Sequence, residues 1–118
     1  MRTKSYGRVH HQVAFTLTMI ADAQLRLEKF QAAETNLMEA LTIEKKAHGE
    51  EHQFVAETLA HLARLSVSQG DWTNAEGRQR EALTMEEKIL GHDNPTTVRR
   101  RAELAEILKR AKSRNSSP

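Results

Sequence analysis

Apolar residues recur along this chain at steps of three and four, in blocks separated by short polar breaks. Val55, Leu59, Leu62, Ala63 and Val67 share one stripe, and Ala75, Ala82, Leu83, Met85 and Ile89 form the next. That spacing is helical rather than extended. Gly70-Asp71 closes one helix and opens another, and Asn94-Pro95 opens the last, with proline near the first turn where its missing N–H costs least. The pattern predicts five helices, over 10–27, 31–47, 53–69, 73–90 and 95–112. Only five Gly and two Pro stand against many Ala, Leu, Glu, Lys, Arg and Gln, which argues for an all-α chain.

The blocks repeat. A shift of 42 positions lays Gly7 on Gly49 and Gly91 and holds register without a gap; 15 of the 42 pairs between the first two copies are identical. They include His10/His52, Val13/Val55, Leu17/Leu59, Ala21/Ala63, Ala33/Ala75, Ala40/Ala82, Leu41/Leu83 and Glu44/Glu86. Each copy holds two helical stripes and so reads as a helix-turn-helix, whose apolar faces are buried only when neighbours stack. Small residues at Ala21, Ala63 and Ala105, and at Ala33, Ala40, Ala75 and Ala82, allow close helix approach, with Phe30 and Trp72 filling the wedge near each turn.

Leu62-Ala63, Gly70, Trp72, Ala75 and Ala82-Leu83 resemble a tetratricopeptide repeat. The longer unit, with Glu86-Glu87-Lys88-Ile89-Leu90-Gly91 and Asn94-Pro95, is similar to the 42-residue repeats of kinesin light chains. The resemblance spans 7–108 and implies antiparallel helix pairs stacked as a short right-handed superhelix of about five helices. The division expected is 1–8 as the end of a preceding repeat or an N-terminal tail, 9–48 as repeat 1, 49–90 as repeat 2, 91–112 as a third-repeat first helix acting as cap, and 113–118 as a disordered tail. The Asn pair that faces the groove in kinesin light chains is here Thr18-Met19, Ala60-His61 and Ala102-Glu103.

Charge is segregated within a formal net of +2: the residues before Val9 carry +3, those from Arg99 onward carry +5, and 9–98 carry −6. The last helix is therefore basic on an acidic body. No apolar run is long enough for a membrane span or a secretory signal, and with no Cys there is no disulfide or thiolate chemistry, so the expected setting is cytoplasmic.

Catalytic and metal chemistry find no foothold. No Gly-rich phosphate loop and no nucleophile with a positioned base is present, and the Glu residues are expected mainly on solvent-facing stripes. His48 and His52 flank a repeat boundary rather than sharing a helix face, so no metal and no cofactor is expected. What remains is a surface. The resemblance implies that first helices line a concave groove, which by register places there Phe15, Met19, Asp22 and Arg26 from copy one. His61, Arg64 and Ser68 follow from copy two, and Arg99, Glu103 and Glu106 from the third. The expected function is a non-catalytic protein-interaction scaffold holding a partner segment in that groove, with Arg64, His61 and Arg26 candidates to receive an acidic group. Two other readings stand beside it: the sensing arm of a larger multidomain signalling protein and, weighted least, nucleic-acid contact by the basic last helix. Self-association through exposed repeat ends is also expected, with Phe15 and Met19 as its apolar anchors.

Overall fold

The computed structural model describes residues 2–115, with side chains described from His10 to Ser113, as five helices: α1 (Arg2–Arg26), α2 (Phe30–His48), α3 (Gln53–Ser68), α4 (Trp72–Leu90) and α5 (Pro95–Asn115). α1 pairs with α2 and α3 with α4; α3 also packs on α2, and α5 on α4, giving a slab of 58 × 35 × 19 Å. No strand occurs among the described residues.

Two boundaries differ from the sequence reading. α1, expected to begin at 10, begins at Arg2 and runs unbroken through Gly7. Glycine permits a left-handed turn without requiring one. Gly49 and Gly91 adopt φ 94° and φ 93° at the C-termini of α2 and α4, while Gly7 lies inside a helix. At the other end α5 extends to Asn115, where a disordered tail from 113 was expected. Ala111, Lys112 and Arg114 are strong helix formers and can prolong a helix without burying anything. Residues 116–118 of that expected tail lie outside the described residues.

Alanine makes the close crossings. Ala14, Ala21, Ala33, Ala40, Ala56, Ala63, Ala75 and Ala82 are all buried, and Leu37, Leu41, Val55, Leu59, Leu62, Leu65 and Met85 fill the space between them. Phe30 packs against this core, while Trp72 is half-buried beneath the Arg110 guanidinium, 5.3 Å from its ring centre. Ala105, expected to pack like Ala21 and Ala63, is exposed, because no second helix covers that side of α5. Ile89, expected on the apolar stripe, is also exposed.

Each junction between repeats is built on a buried carboxylate, against the expectation that glutamates would face solvent. Glu44 accepts from or pairs with His11 Nδ1 at 2.7 Å. His48 Nε2 lies 3.4 Å from its other oxygen, within ion-pairing distance but without hydrogen-bond geometry. His11 stacks on Phe54 and His48 on His52, with ring centres 3.5 and 4.4 Å apart. His52 also caps α3, its Nδ1 accepting from the Phe54 N–H at 3.0 Å. Its pKa is lowered by burial, then by the neighbouring His48 and His11.

Glu86, the repeat equivalent of Glu44, instead receives Arg100 Nε and Nη2 at 2.8 and 2.9 Å and Gln53 Nε2 at 3.2 Å. Burial opposes the Arg100 charge, but the hydrogen bond and attraction of Glu86, with Glu103 beside it, outweigh burial and hold the guanidinium above its ordinary value.

Candidate interaction groove

The cleft between α3 and α5 gathers half of the residues placed by register. Ala60, Val67 and Ile107 floor a hollow of about 180 Å³ whose rim carries Arg64, Glu103 and Glu106, with Gln79 beneath. It continues toward the N-terminus of α5 as a second, more polar hollow of about 300 Å³ that adds Glu57, His61, Arg99 and Arg100. The helical repeat explains the arrangement: Glu57, Ala60, His61 and Arg64 follow one another at steps of three, one and three on α3, and Arg99, Glu103 and Glu106 do so at four and three on α5.

The polar side chains differ in how firmly they are held. Gln79, fully buried on α4, donates through Nε2 to the Arg100 carbonyl at 3.1 Å and to Glu103 Oε1 at 3.0 Å, and Arg100 Nη1 reaches the same oxygen at 3.2 Å. Glu103 is thereby fixed. Arg64 is exposed and meets Asp22 of α1 at 3.7 Å, a single weak, solvated pair across the face, while Asp22 also accepts from Arg26 of its own helix at 3.3 Å. Arg99 makes no ion pair with another described residue and is exposed. The pKa of His61 is lowered by burial and then by Arg64, with Asp22 and Glu57 working the other way, so its imidazole is neutral near pH 7.

The five residues that do not line this cleft are Phe15, Met19, Asp22, Arg26 and Ser68, Asp22 reaching it only through its pair with Arg64. Phe15 lines a separate shallow hollow on α1 with His11, Gln12 and Thr16; Met19 is exposed on α1, and Ser68 is exposed at the C-terminus of α3. Register alone missed Gln79, Arg100, Val67 and Ile107. Gln79 was visible as the polar residue standing where copy one has Leu37. The basic last helix is also less free than its composition implies. Of the run Arg99-Arg100-Arg101, Arg100 is buried on Glu86, and Arg101 Nη2 bonds Glu87 at 3.2 Å and the His92 carbonyl at 3.2 Å. Among the described residues no cluster of His, Asp and Glu is disposed to hold a metal ion, and no helix is long and apolar enough to cross a membrane.

The family model for the tetratricopeptide repeat matches residues 12–83, which spans α1 from Gln12 through most of α4. The chain belongs to the tetratricopeptide repeat family. Its two matched helix pairs are therefore repeats of a kind that generally mediates protein–protein interaction. In tetratricopeptide terms α1 and α3 are the first helices of the matched pairs, and α5, beyond the matched residues, packs on α4. A search of curated proteins found no match.

Proposed function

We propose that the protein is a non-catalytic interaction scaffold that holds an extended partner segment in the α3–α5 cleft. An aliphatic side chain of the partner enters the hollow over Ala60, Val67 and Ile107, and a carboxylate of the same segment lies against Arg64 and Arg99. The observation that carries this reading is the pairing of an apolar floor with two exposed guanidinium groups, one weakly paired and one without a described partner. A guanidinium offers a planar fork to a carboxylate, and a neutral His61 beside it leaves the positive charge on the arginines. Glu57 and Glu106 on the rim disfavour a segment acidic throughout, so the partner carries its acid at one end of the contact.

The test is selection from a random peptide library on the intact chain, followed by titration of the selected peptides by fluorescence polarisation. Arg64→Ala is expected to weaken them by about tenfold, the loss of one charge-assisted hydrogen bond. Its helical circular dichroism is expected to stay unchanged, since Arg64 is exposed. Selected peptides without a carboxylate, or affinity indifferent to both Arg64→Ala and Arg99→Ala, would remove the reading.

A further inference from the structure

A second surface lies on the opposite side of the first repeat, and the molecule's own symmetry shows what kind of surface it is. α3 docks on the preceding helix pair through Val55, Thr58, Leu62 and Leu65, all buried, and α5 does so through Thr97, Arg100, Leu104 and Ile107, all buried. The same register on α1 falls on Val13, Thr16, Ile20 and Ala23, and there it is uncovered: Val13 is 48% and Ile20 45% exposed, and Thr16 and Ala23 are exposed as well. A stripe built to pack against a helix thus faces water, lengthened beyond the end of α1 by Leu27, 67% exposed.

We propose that this stripe pairs with the same stripe of a second copy of the chain, as an antiparallel, two-fold α1–α1 contact. Three observations favour this occupant. The faces of α2 and α4 that receive such a stripe are already covered by α3 and α5, so a second copy offers its own α1 stripe instead. From Val13 to Ala23 the stripe carries no charge, so two copies meet without repulsion although 9–98 is acidic. Large and small residues alternate along it, and antiparallel pairing sets Val13 against Ala23 and Ile20 against Thr16 of the other copy. Bulk then meets a gap at every level of a self-complementary, isologous contact. One helix face per copy makes a small interface, so the association is weak, in the micromolar range or above.

The test is sedimentation velocity on the full chain from low micromolar to millimolar concentration, comparing the parent with Ile20→Glu. The expected result is a monomer–dimer equilibrium that the substitution weakens by at least about tenfold, with helicity and thermal midpoint retained. Should Ile20→Glu lose helicity, Ala23→Lys, on an exposed position, carries the same comparison. Register is read by cross-linking, which the absence of native Cys makes clean. A mixture of Val13→Cys and Ala23→Cys chains is expected to form the mixed disulfide in preference to either like pair. A monomer throughout the range, open-ended growth, an association indifferent to both charge substitutions, or efficient Val13→Cys self-linking would each overturn the proposal.

Discussion

The two repeat junctions solve one structural problem with different chemistry. Both bury a glutamate at the same register of a second helix, Glu44 and Glu86. At the second junction the charge is matched by a guanidinium, whose proton is never in question near neutral pH, through two parallel hydrogen bonds from a side chain itself 6% exposed. At the first, the position of Arg100 is taken by Thr58, whose hydroxyl donates to the Phe54 carbonyl at 2.9 Å, and the carboxylate relies on imidazoles from α1 and α2. A buried carboxylate does not dictate its partner; it dictates that one be present. At the first junction that partner is an imidazole giving one hydrogen bond, and at the second a guanidinium giving two.

The sharpest break of this comparison is to remove one partner from each side. Arg100→Ala leaves Glu86 buried and uncompensated apart from Gln53, which is expected to cost about 3–5 kcal/mol in urea unfolding. His11→Ala leaves Glu44 with His48 nearby and opens water access beside Phe54, with an expected cost of about 1–3 kcal/mol. Equal losses would show that the two junctions bear equal charge stress and that the arginine is not special. Arg100→Lys is a finer test: it keeps the charge but not the fork, and recovery of most of the lost stability would show that charge rather than geometry governs the site.

The next effect is in pH. His52 has a folded pKa below 6.5, so on acidification the unfolded chain takes up this proton first. Between 6.5 and the lower folded value the unfolded state binds more protons, and stability therefore falls as pH falls through this window. Burial is the main cause of the lowered pKa, with the neighbouring His48 and His11 adding to it, and the consequence is local, because a protonated Nδ1 cannot accept from the Phe54 N–H and α3 loses its cap. The second junction supplies the control. Asn94 stands at the equivalent position and caps α5 through Oδ1 to the Thr96 N–H at 2.9 Å without titrating. His52→Asn is expected to match the parent near pH 7.5 and to exceed it by about 1 kcal/mol, the usual worth of a cap, near pH 5.5. Thermal midpoints across that range check it. The slope that persists in the variant includes the part from His61, which is shifted in the same direction. A slope unchanged by the substitution would place the pH response elsewhere.

Much of this architecture was legible in the sequence because repetition doubles every signal. The helix pairs, the turns at Gly49, Gly70 and Gly91 and the alanine crossings follow from matched positions, whereas a groove lined by first helices came only from the resemblance to a known repeat. What escaped reading was what repetition hides. Glu44 and Glu86 sit three residues after Leu41 and Leu83, on the same face, but a charged residue type pulls any such reading toward the surface. Arg100 was hidden for the opposite reason: its equivalents are threonines, and only the fold shows that the side chain turns inward to Glu86. Phe15 and Met19 were placed in the groove by register, yet the cleft forms where α3 meets α5, and no described helix stands before α1 to make a matching wall.

The smallest effect in the comparison concerns the turns inside each repeat. Gly70 follows the C-terminus of α3 at φ 74°, with the Asp71 N–H donating to the Ser66 carbonyl at 2.8 Å. In the first repeat the same turn closes with Lys29 N–H donating to the Gln24 carbonyl at 2.8 Å, but the residue at the left-handed position is Glu28, at φ 60°. The hydrogen bonds are equivalent, so the difference lies in the Cβ. A side chain in this conformation costs roughly 1 kcal/mol, partly offset because glycine is the more flexible residue in the unfolded chain. Glu28→Gly is therefore expected to stabilise the protein by somewhat less than about 1 kcal/mol, and Gly70→Ala to destabilise it by about 1 kcal/mol, although no atom lies within 4 Å of the added Cβ. Urea midpoints on the two variants decide the matter. If Glu28→Gly destabilises instead, the Glu28 side chain contributes an interaction that outweighs its backbone strain, and the first turn is held by more than the geometry it shares with the second.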